Sequence, residues 1–414
     1  MDVEDCRSSI YMMKFGAEIP LREMPYFHNP GSFPRMEKWQ TVAALEAVYK
    51  FVKEGKVLGP FPGDTRLCPV TGKPLCFYPS FVVPKSTPGS YRWILNASYN
   101  RGGPSINDRI SDYTTKLISV RESLKPCLRT RFMSRIDLRR AFKQLFRKIS
   151  QLNLLATKIG DQVFIDATMS MGLRNTCKLF EEDFMKAFVR GLVHHHPQLF
   201  SDDLGWLANN YLDDIWFLAD TQRKNKIQLL VAEYWANWLG IELNNNKREL
   251  PRSVTRHLGF QIDLEHKMVS ITLKHKNRIL AFFNRFIVCI RSNGRIPIRD
   301  IQRMLGLQIW ISTVFRVTRQ FLTSTCEVLR GDLGKRRFFF PRHNRVLASR
   351  ILFDLKFWRR FVEGSPTSSF KYLLGQLPPN EGSLFSDASS LFGMGGVFLF
   401  GNAHHKPRDS GGLF

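Results

Sequence analysis

The sequence has no run of about 18 uncharged apolar residues. Its start, "MDVEDCRSSIYMMKF", lacks a basic stretch leading into an apolar one. Neither a membrane span nor a secretion signal is expected, and the protein is read as soluble, intracellular, cytoplasmic or nuclear, and not secreted. Acid is in short supply: 36 Asp and Glu stand against 61 Lys and Arg, a formal charge of +25 spread along 414 residues. Such an excess calls for a polyanionic partner, and nucleic acid ranks ahead of a membrane surface because no basic amphipathic helix stands out. Cysteine is scarce as well. Seven scattered thiols, an odd number, do not make a disulfide framework in a chain of this length. "CPVTGKPLC" sets Cys68 and Cys76 around a turn without the two further ligands that zinc would need, so a hairpin with two buried thiols is expected. The run His194-His195-His196, followed by Pro197, reads as a solvated loop.

No repeat of fixed period appears. The first 40 residues are poor in periodic signals, and "NPGSFPRM" marks irregular chain. From Glu37 the spacing of Val42, Leu45, Val48 and Val52 predicts a helix closing at Gly55. "LCFYPSFVVPK" and "YRWILNAS", separated by "STPGS", predict a β-hairpin with basic residues beside its turn. Between Arg131 and Thr272 the apolar strands "RFMSRID", "QVFIDAT", "NYLDDIWFLA", "HLGFQID" and "MVSIT" alternate with helical patterns "RRAFKQLFRKI", "NTCKLFEEDFMKAFVRGL" and "RKNKIQLLVAEYWANWLG". That mixture predicts an α+β sheet domain packed by helices. Beyond Leu273 the pattern is helical and basic, and Ile301, Met304, Leu305, Gln308, Ile309 and Ser312 form one expected face. "LLGQLPPNEGS" breaks it before a last strand-like segment, "LFSDASSLFGMGGVFLFG".

Within "NNYLDDIWFLAD" the adjacent Asp213 and Asp214 sit among residues that belong inside a sheet. Burying one unpaired carboxylate costs several kcal/mol, and two neighbours also repel. A divalent metal compensates such a pair, Mg²⁺ taking carboxylate oxygens together with substrate phosphates. A two-metal phosphoryl-transfer site draws a further carboxylate from elsewhere. Asp137, closing "FMSRID", is the candidate; Asp202-Asp203 in "LFSDDLGW" reads as an exposed turn.

The order of these segments resembles the reverse transcriptases of retroelements, from about Phe81 to Ser270 and more weakly beyond. "YLDD" looks like the YxDD turn, "RIDLRRAFKQL" like "DLxxAF", "MSMGLRNTCKLFEEDF" like "LPxGLxxSPxxFxxxM", "HLGFQID" like "LGxxI", and "VVPKSTPGSYRWILNASYN" like "VxKKxGxxRxxxDxRxLN". The mix is closer to DIRS-type tyrosine-recombinase and LTR retrotransposon enzymes than to non-LTR ones. It departs from the family at Asn96, Ser98, Arg140, Met169, Ser170 and Met171, none of them an implied metal ligand.

The resemblance implies a right-hand polymerase with an antiparallel palm sheet backed by helices. Its parts would be an N-terminal extension (1–40), fingers (41–130), palm (131–272, with inserted fingers helices), a helical thumb or connection (273–375) and a truncated ribonuclease H-like segment (380–414). It implies RNA-directed DNA synthesis on an RNA template and DNA primer, or an RNA–DNA hybrid, from dNTPs. Asp137, Asp213, Asp214 and the Leu138 carbonyl would hold two Mg²⁺ ions, or Mn²⁺ in their place. One ion would acidify the primer 3′-hydroxyl and the other stabilise the leaving pyrophosphate. Lys85 and Arg92 would meet the triphosphate, Phe142 would lie under the sugar and exclude a 2′-hydroxyl, Gly172 would let backbone approach template or nucleotide, and Tyr211 would abut the primer end. Asp387 would be the first ligand of the ribonuclease H-like remnant. Only one acidic residue, Asp409, comes after it, so RNA cleavage is not expected. Two alternatives stand beside this: a decayed nucleic-acid-binding relic, and an RNA-dependent RNA polymerase, which more often carries Gly before the DD pair and a small or polar residue at the place of Phe142.

Overall fold

The computed structural model describes residues 9, 11–85, 87–111, 115–330, 337–370, 383–389 and 393–399, the last two ranges as backbone alone. The chain is α+β and divides into two compact units, one of Met1–Ile118 with Met133–Pro251, the other of Ser119–Phe132 with Arg252–Phe414.

In the first unit, α1 (Lys38–Lys53) starts where the Gln40 side chain accepts from the Glu37 amide at 2.9 Å, and it stops before Gly55, whose φ of +68° suits glycine. Its buried side chains are Ala43, Ala44 and Val48, while Val42 is 57% exposed, so the expected valine face is rotated toward the alanines. Small residues there let the helix lie close to the strands beneath it. β1 (Val57–Pro62) is followed by the hairpin of β2 (Ser80–Pro84) and β3 (Tyr91–Leu95), in register from Ser80–Leu95 to Pro84–Tyr91. Between β1 and β2, Cys68 and Cys76 are both fully buried, and burial pushes the Cys76 thiol up to about 12.

β4 (Phe132–Asp137) leads not into the expected helix at "RRAFKQLFRKI" but into a short 3-10 turn, Ala141–Gln144. Arg140 has a φ of +54°, which an α-helix cannot contain. Lys143 and Arg147 turn inward instead, Lys143 Nζ donating to Asp166 at 2.5 Å. β5 (Ala156–Ile159) and β6 (Gln162–Asp166) complete an antiparallel sheet in the order β1-β6-β5. The "NTCKLFEEDFMKAFVRGL" segment is helical, but Leu179–Met185 is wound as a π-helix before α2 (Lys186–His195). His194 and His195 close α2 rather than lying in a loop, though both are exposed. His195 stacks on Trp235 with centroids 5.3 Å apart, and His196 Nε2 accepts from the Trp235 indole at 2.9 Å. β7 (Ser201–Asp202) and β8 (Gly205–Trp206) put Asp202 and Asp203 at an exposed hairpin tip. β9 (Ala208–Tyr211), β10 (Asp214–Ala219), α3 (Gln222–Trp238) and β11 (Glu249–Arg252) come next, and a second sheet runs β11-β4-β10-β9.

In the second unit, β12 (Val254–His257), β13 (Phe260–Asp263) and β14 (Met268–Ile271) form an antiparallel sheet closed by β17 (Thr367–Ser369). At Gly259, φ +88°, a Cβ would lie 2.8 Å from the Trp310 ring, which stacks on Phe260. Helices α4 (Leu273–Arg291), α5 (Ile298–Val314), α6 (Thr323–Leu329) and α7 (Arg345–Glu363) supply the rest, with a small β15 (Ile296–Pro297) and β16 (Phe338–Phe339) pair. On α5 the expected face holds at Ile301, Met304, Gln308 and Ser312, but Ile309 is 48% exposed and Ile298, Ile311 and Val314 are buried instead. β18 (Ser383–Ser389) and β19 (Gly393–Leu399) form an antiparallel hairpin with Asp387 opposite Gly395; the Asp387 side chain lies outside the described residues, as does Asp409. Among the described residues no helix is long and apolar enough to cross a membrane.

Candidate active site

The β9–β10 hairpin closes through a two-residue turn: Tyr211 pairs with Asp214, leaving Leu212 and Asp213 at the tip, so Asp214 opens β10 rather than sitting in the turn. Leu212 has a φ of +52°, uncommon for a branched side chain. β10 continues with the fully buried Ile215, Trp216, Phe217 and Leu218, which anchor the strand beneath the half-buried turn. β4 lies beside β10, and the turn is tied to its end where the Leu138 amide donates to the Asp213 carbonyl at 3.0 Å. The sheet order therefore brings Asp137, 76 residues away by number from Asp213, into one cleft of about 490 Å³ with Asp213 and Asp214.

The electrostatics of that cleft are unbalanced. Burial, with Asp137's charge second, pushes the Asp213 carboxyl up. Burial also pushes Asp214 up to about 6, Arg135 working against it and the Asp213 and Asp137 charges with it. Asp137 is 4% exposed and is held by two side chains that the motif reading missed: Lys247 Nζ donates to its Oδ1 at 2.8 Å and Asn244 Nδ2 to its Oδ2 at 3.0 Å. Burial lowers the Lys247 pKa, but its bond to Asp137 and the three carboxylate charges outweigh this and raise it. Arg135 pairs with Glu249 and stands 3.9 Å from Asp214. Both cations come from segments whose local sequence, "NNNKREL" and the middle of β4, carries no signal of its own; only the sheet order places them.

Carboxylate oxygens gathered at the ends of two neighbouring strands are the donors a hard divalent cation takes. The set fits one in type and place, since Asp213 and Asp214 stay short of compensation within the protein. Among the described residues no group of three or more His, Cys, Asp or Glu stands arranged to close on an ion. Lys247 and Asn244 engage both oxygens of Asp137.

A second, adjoining cavity of about 640 Å³ is lined by Asp137, Leu138, Phe142, Leu212 and Asp213 together with Lys50, Lys85 and Arg92. Lys85 has its pKa lowered by burial and then by Arg92 and Lys50, so three cations crowd one wall. Lys50, on α1, had no motif to announce it. Phe142 lies in the 3-10 turn after β4 and packs edge-on against the buried Phe180, centroids 5.2 Å apart, so it faces the cavity and anchors the turn together. Tyr211 ends β9 directly across from Asp214. Gly172 makes its close approach to the chain's own backbone: a Cβ there would lie 2.1 Å from the Leu95 carbonyl oxygen.

No family model and no curated protein matches the sequence. Solved structures do match. A foamy viral protease-reverse transcriptase in complex with an RNA/DNA hybrid aligns over 82% of this chain and 39% of its own, with TM-score 0.54 and 16% identity. The dRH form of the foamy viral enzyme in complex with double-stranded DNA aligns over 94% and 64%, with TM-score 0.54 and 15% identity. A third, the foamy viral enzyme with double-stranded DNA, aligns over 96% and 75%, with TM-score 0.53 and 16% identity. At these identities the likeness is one of fold, and the chain spans 39% and 64% of the first two neighbours' lengths.

Proposed function

We propose that the chain is a retrotransposon-type reverse transcriptase, an RNA-directed DNA polymerase that adds dNTPs to a primer 3′-hydroxyl on an RNA template or RNA–DNA hybrid. The observation that carries this reading is the meeting of Asp137, Asp213 and Asp214 in one cleft beside a cavity walled by Lys50, Lys85 and Arg92. Carboxylates alone suggest a metal; carboxylates facing a cation wall suggest a metal bound together with a polyphosphate. The fold shared with foamy viral protease-reverse transcriptases in complex with nucleic acid supports it, as does the +25 charge.

On this reading Asp137, Asp213 and Asp214, with the Leu138 carbonyl in reach, hold two Mg²⁺ ions, for which Mn²⁺ substitutes. Bound there, the ions would acidify the primer hydroxyl and neutralise charge on the leaving pyrophosphate. Lys85 and Arg92 bind and orient the triphosphate, and Lys50 adds a third cation to the same wall. Lys247 hands over Asp137 as the site fills. Phe142 presents its ring to the sugar, and Tyr211 abuts the primer terminus. Gly172 keeps the "SMGLRN" backbone tight against β3, under the hairpin that carries Lys85 and Arg92. The 41–130 segment serves as fingers, 131–272 as palm and 273–375 as thumb or connection, and the β18–β19 hairpin as the start of a ribonuclease H-like fold with Asp387.

The test is primer extension by the purified chain on poly(rA)/oligo(dT) with Mg²⁺ or Mn²⁺. Extension with dTTP and little with UTP is expected. Salt-dependent binding of the duplex without any extension would replace this reading with that of a nucleic-acid-binding relic. In the same assay Phe142→Ala should cut the dTTP-over-UTP preference by about 10–100-fold, the discrimination that one apolar contact of roughly 1–3 kcal/mol supplies. An unchanged ratio would remove Phe142 from sugar selection and leave it as the partner of Phe180.

A further inference from the structure

We infer that Glu181 is the positioning residue of the aspartate turn, its buried carboxylate fixing the left-handed Leu212 and thereby the placement of Asp213 and Asp214. The inference rests on the polymerase reading for its consequence in catalysis, though not for the contact itself. Glu181 is 1% exposed, and one oxygen, Oε2, accepts both from the Leu212 amide at 2.8 Å and from Asn210 Nδ2 at 2.9 Å.

The turn needs such a partner. Pairing of β9 with β10 ends at Tyr211 and Asp214, so the Leu212 amide at the tip has no cross-strand carbonyl to bond. Leu212 also holds a positive φ that a non-glycine residue keeps only where its surroundings impose it. An acceptor brought up from beneath the hairpin meets both needs at once. Asn210, 5% exposed on β9, gains its own partner from the same oxygen, so strand and turn are clamped together.

How a helix delivers a carboxylate to that spot is explained by its winding. Leu179–Met185 is π-helical, and one extra residue in a turn rotates the residues before it by about 100° relative to those after it. The insertion lets neighbouring side chains of one segment serve different parts of the site: Phe180 packs under Phe142, and Glu181 reaches Leu212. Its neighbour Glu182 points elsewhere, accepting from the Lys116 amide at 3.2 Å. Glu181 lines neither cavity; it acts through the turn.

Three variants test this. Glu181→Ala removes the acceptor. Glu181→Asp keeps the carboxyl group but shortens the reach by one methylene, and Glu181→Gln keeps reach and an acceptor oxygen. In Ala and Asp the Leu212 amide should lose its protection from hydrogen exchange, free Mn²⁺ measured by electron paramagnetic resonance should show weaker binding, and kcat should fall by about 100-fold, the loss that a misplacement of about 1 Å brings. KM for dTTP should stay within about twofold, because the cation wall is untouched. Gln should stay close to wild type in all four measurements. A Glu181→Asp variant with wild-type protection and turnover would overturn the inference, as would equal losses in Gln and Ala. If wild type never extends a primer, the polymerase reading fails separately, and the exchange and Mn²⁺ measurements still decide whether Glu181 holds the turn.

Discussion

Asp213→Asn with Asp214→Asn should abolish primer extension, by a factor of about 10³ or more, and at the same time make the metal-free protein more stable. The first half comes from removing two of three hard oxygen anions from a cleft whose other carboxylate, Glu249, is paired with Arg135. The second comes from the cleft's electrostatics. Burial raises the Asp213 carboxyl, and burial with the neighbouring carboxylates raises Asp214 to about 6 from an ordinary 3.8. A carboxylate whose folded pKa is raised contributes stability below its unfolded pKa and loses it as pH rises through the folded value. Near neutral pH the wild type therefore carries the full cost of ionising the pair, and the asparagine variant carries none. Because the Asp214 side chain is 39% exposed, solvent screens much of this and the gain is about 1 kcal/mol, or about 2–4 °C in Tm. The gain should shrink as pH falls from about 7 to about 4, where wild-type Asp214 takes up its proton. Adding Mg²⁺ should raise the wild-type Tm and leave the variant's unchanged. Thermal melts at the two pH values, with and without the ion, measure all of this. A variant less stable than wild type near neutral pH would mean that Arg135 and Lys247 already balance the pair.

The parts of this architecture that the sequence announced are those set by local pattern. Apolar runs bounded by turn residues became β4, β6, β10, β13 and β14, and the 3.6-residue periodicity became α3 and α4. The three aspartates were legible because each sits at the end of such a run, where a charged side chain is out of place unless the site uses it. The hidden parts depend on contacts between distant segments. "RRAFKQLFRKI" has helical spacing, but Lys143 answers to Asp166 across the fold and Arg140 cannot keep helical angles, so a 3-10 turn forms. The histidine run is solvated as expected at His194 and His195, but it closes a helix instead of lying in a loop, because nothing local announces Trp235, on which His195 stacks and to which His196 bonds. Lys247 and Glu181 lie in segments whose own residues read as ordinary surface and ordinary helix; only the sheet order and the π-wound turn bring them to the aspartates. Charged residues that fold inward onto a partner far along the chain leave no periodic trace.

The same kind of contact carries the largest stability effect expected in the molecule. Asp166→Asn should destabilise the protein by about 3–5 kcal/mol near neutral pH, the loss typical of a buried ion pair stripped of one charge, or about 6–20 °C in Tm. Asp166 is 1% exposed and its side chain also accepts from the Thr168 amide and hydroxyl, at 3.1 and 2.9 Å on Oδ1. Asparagine can keep those two bonds, so the substitution isolates the pairing of Oδ2 with Lys143. Burial lowers the Lys143 pKa, Asp166 holds it back up, and Arg147 and Lys56 press it further down. Without Asp166 only the lowering influences remain, apart from the Phe51 and Trp93 rings about 5.3 and 5.1 Å from Nζ. A cation whose folded pKa is depressed costs stability while it stays charged, and that cost fades as pH rises toward its unfolded value. The deficit of Asp166→Asn should therefore narrow between about pH 7 and about pH 10, whereas a loss caused by packing alone would not change. Asp166→Asn combined with Lys143→Met should recover most of the deficit at either pH, since an apolar pair of similar size leaves no buried charge. Denaturant titrations of the two variants at both pH values measure this, and an equal deficit at the two would mean that the Lys143–Asp166 pair is not what turns "RRAFKQLFRKI" inward. If the narrowing is found, the pair that denies this segment its helix is also the one that seats Phe142 in the cavity beside Asp137, because Lys143 and Phe142 share a single 3-10 turn.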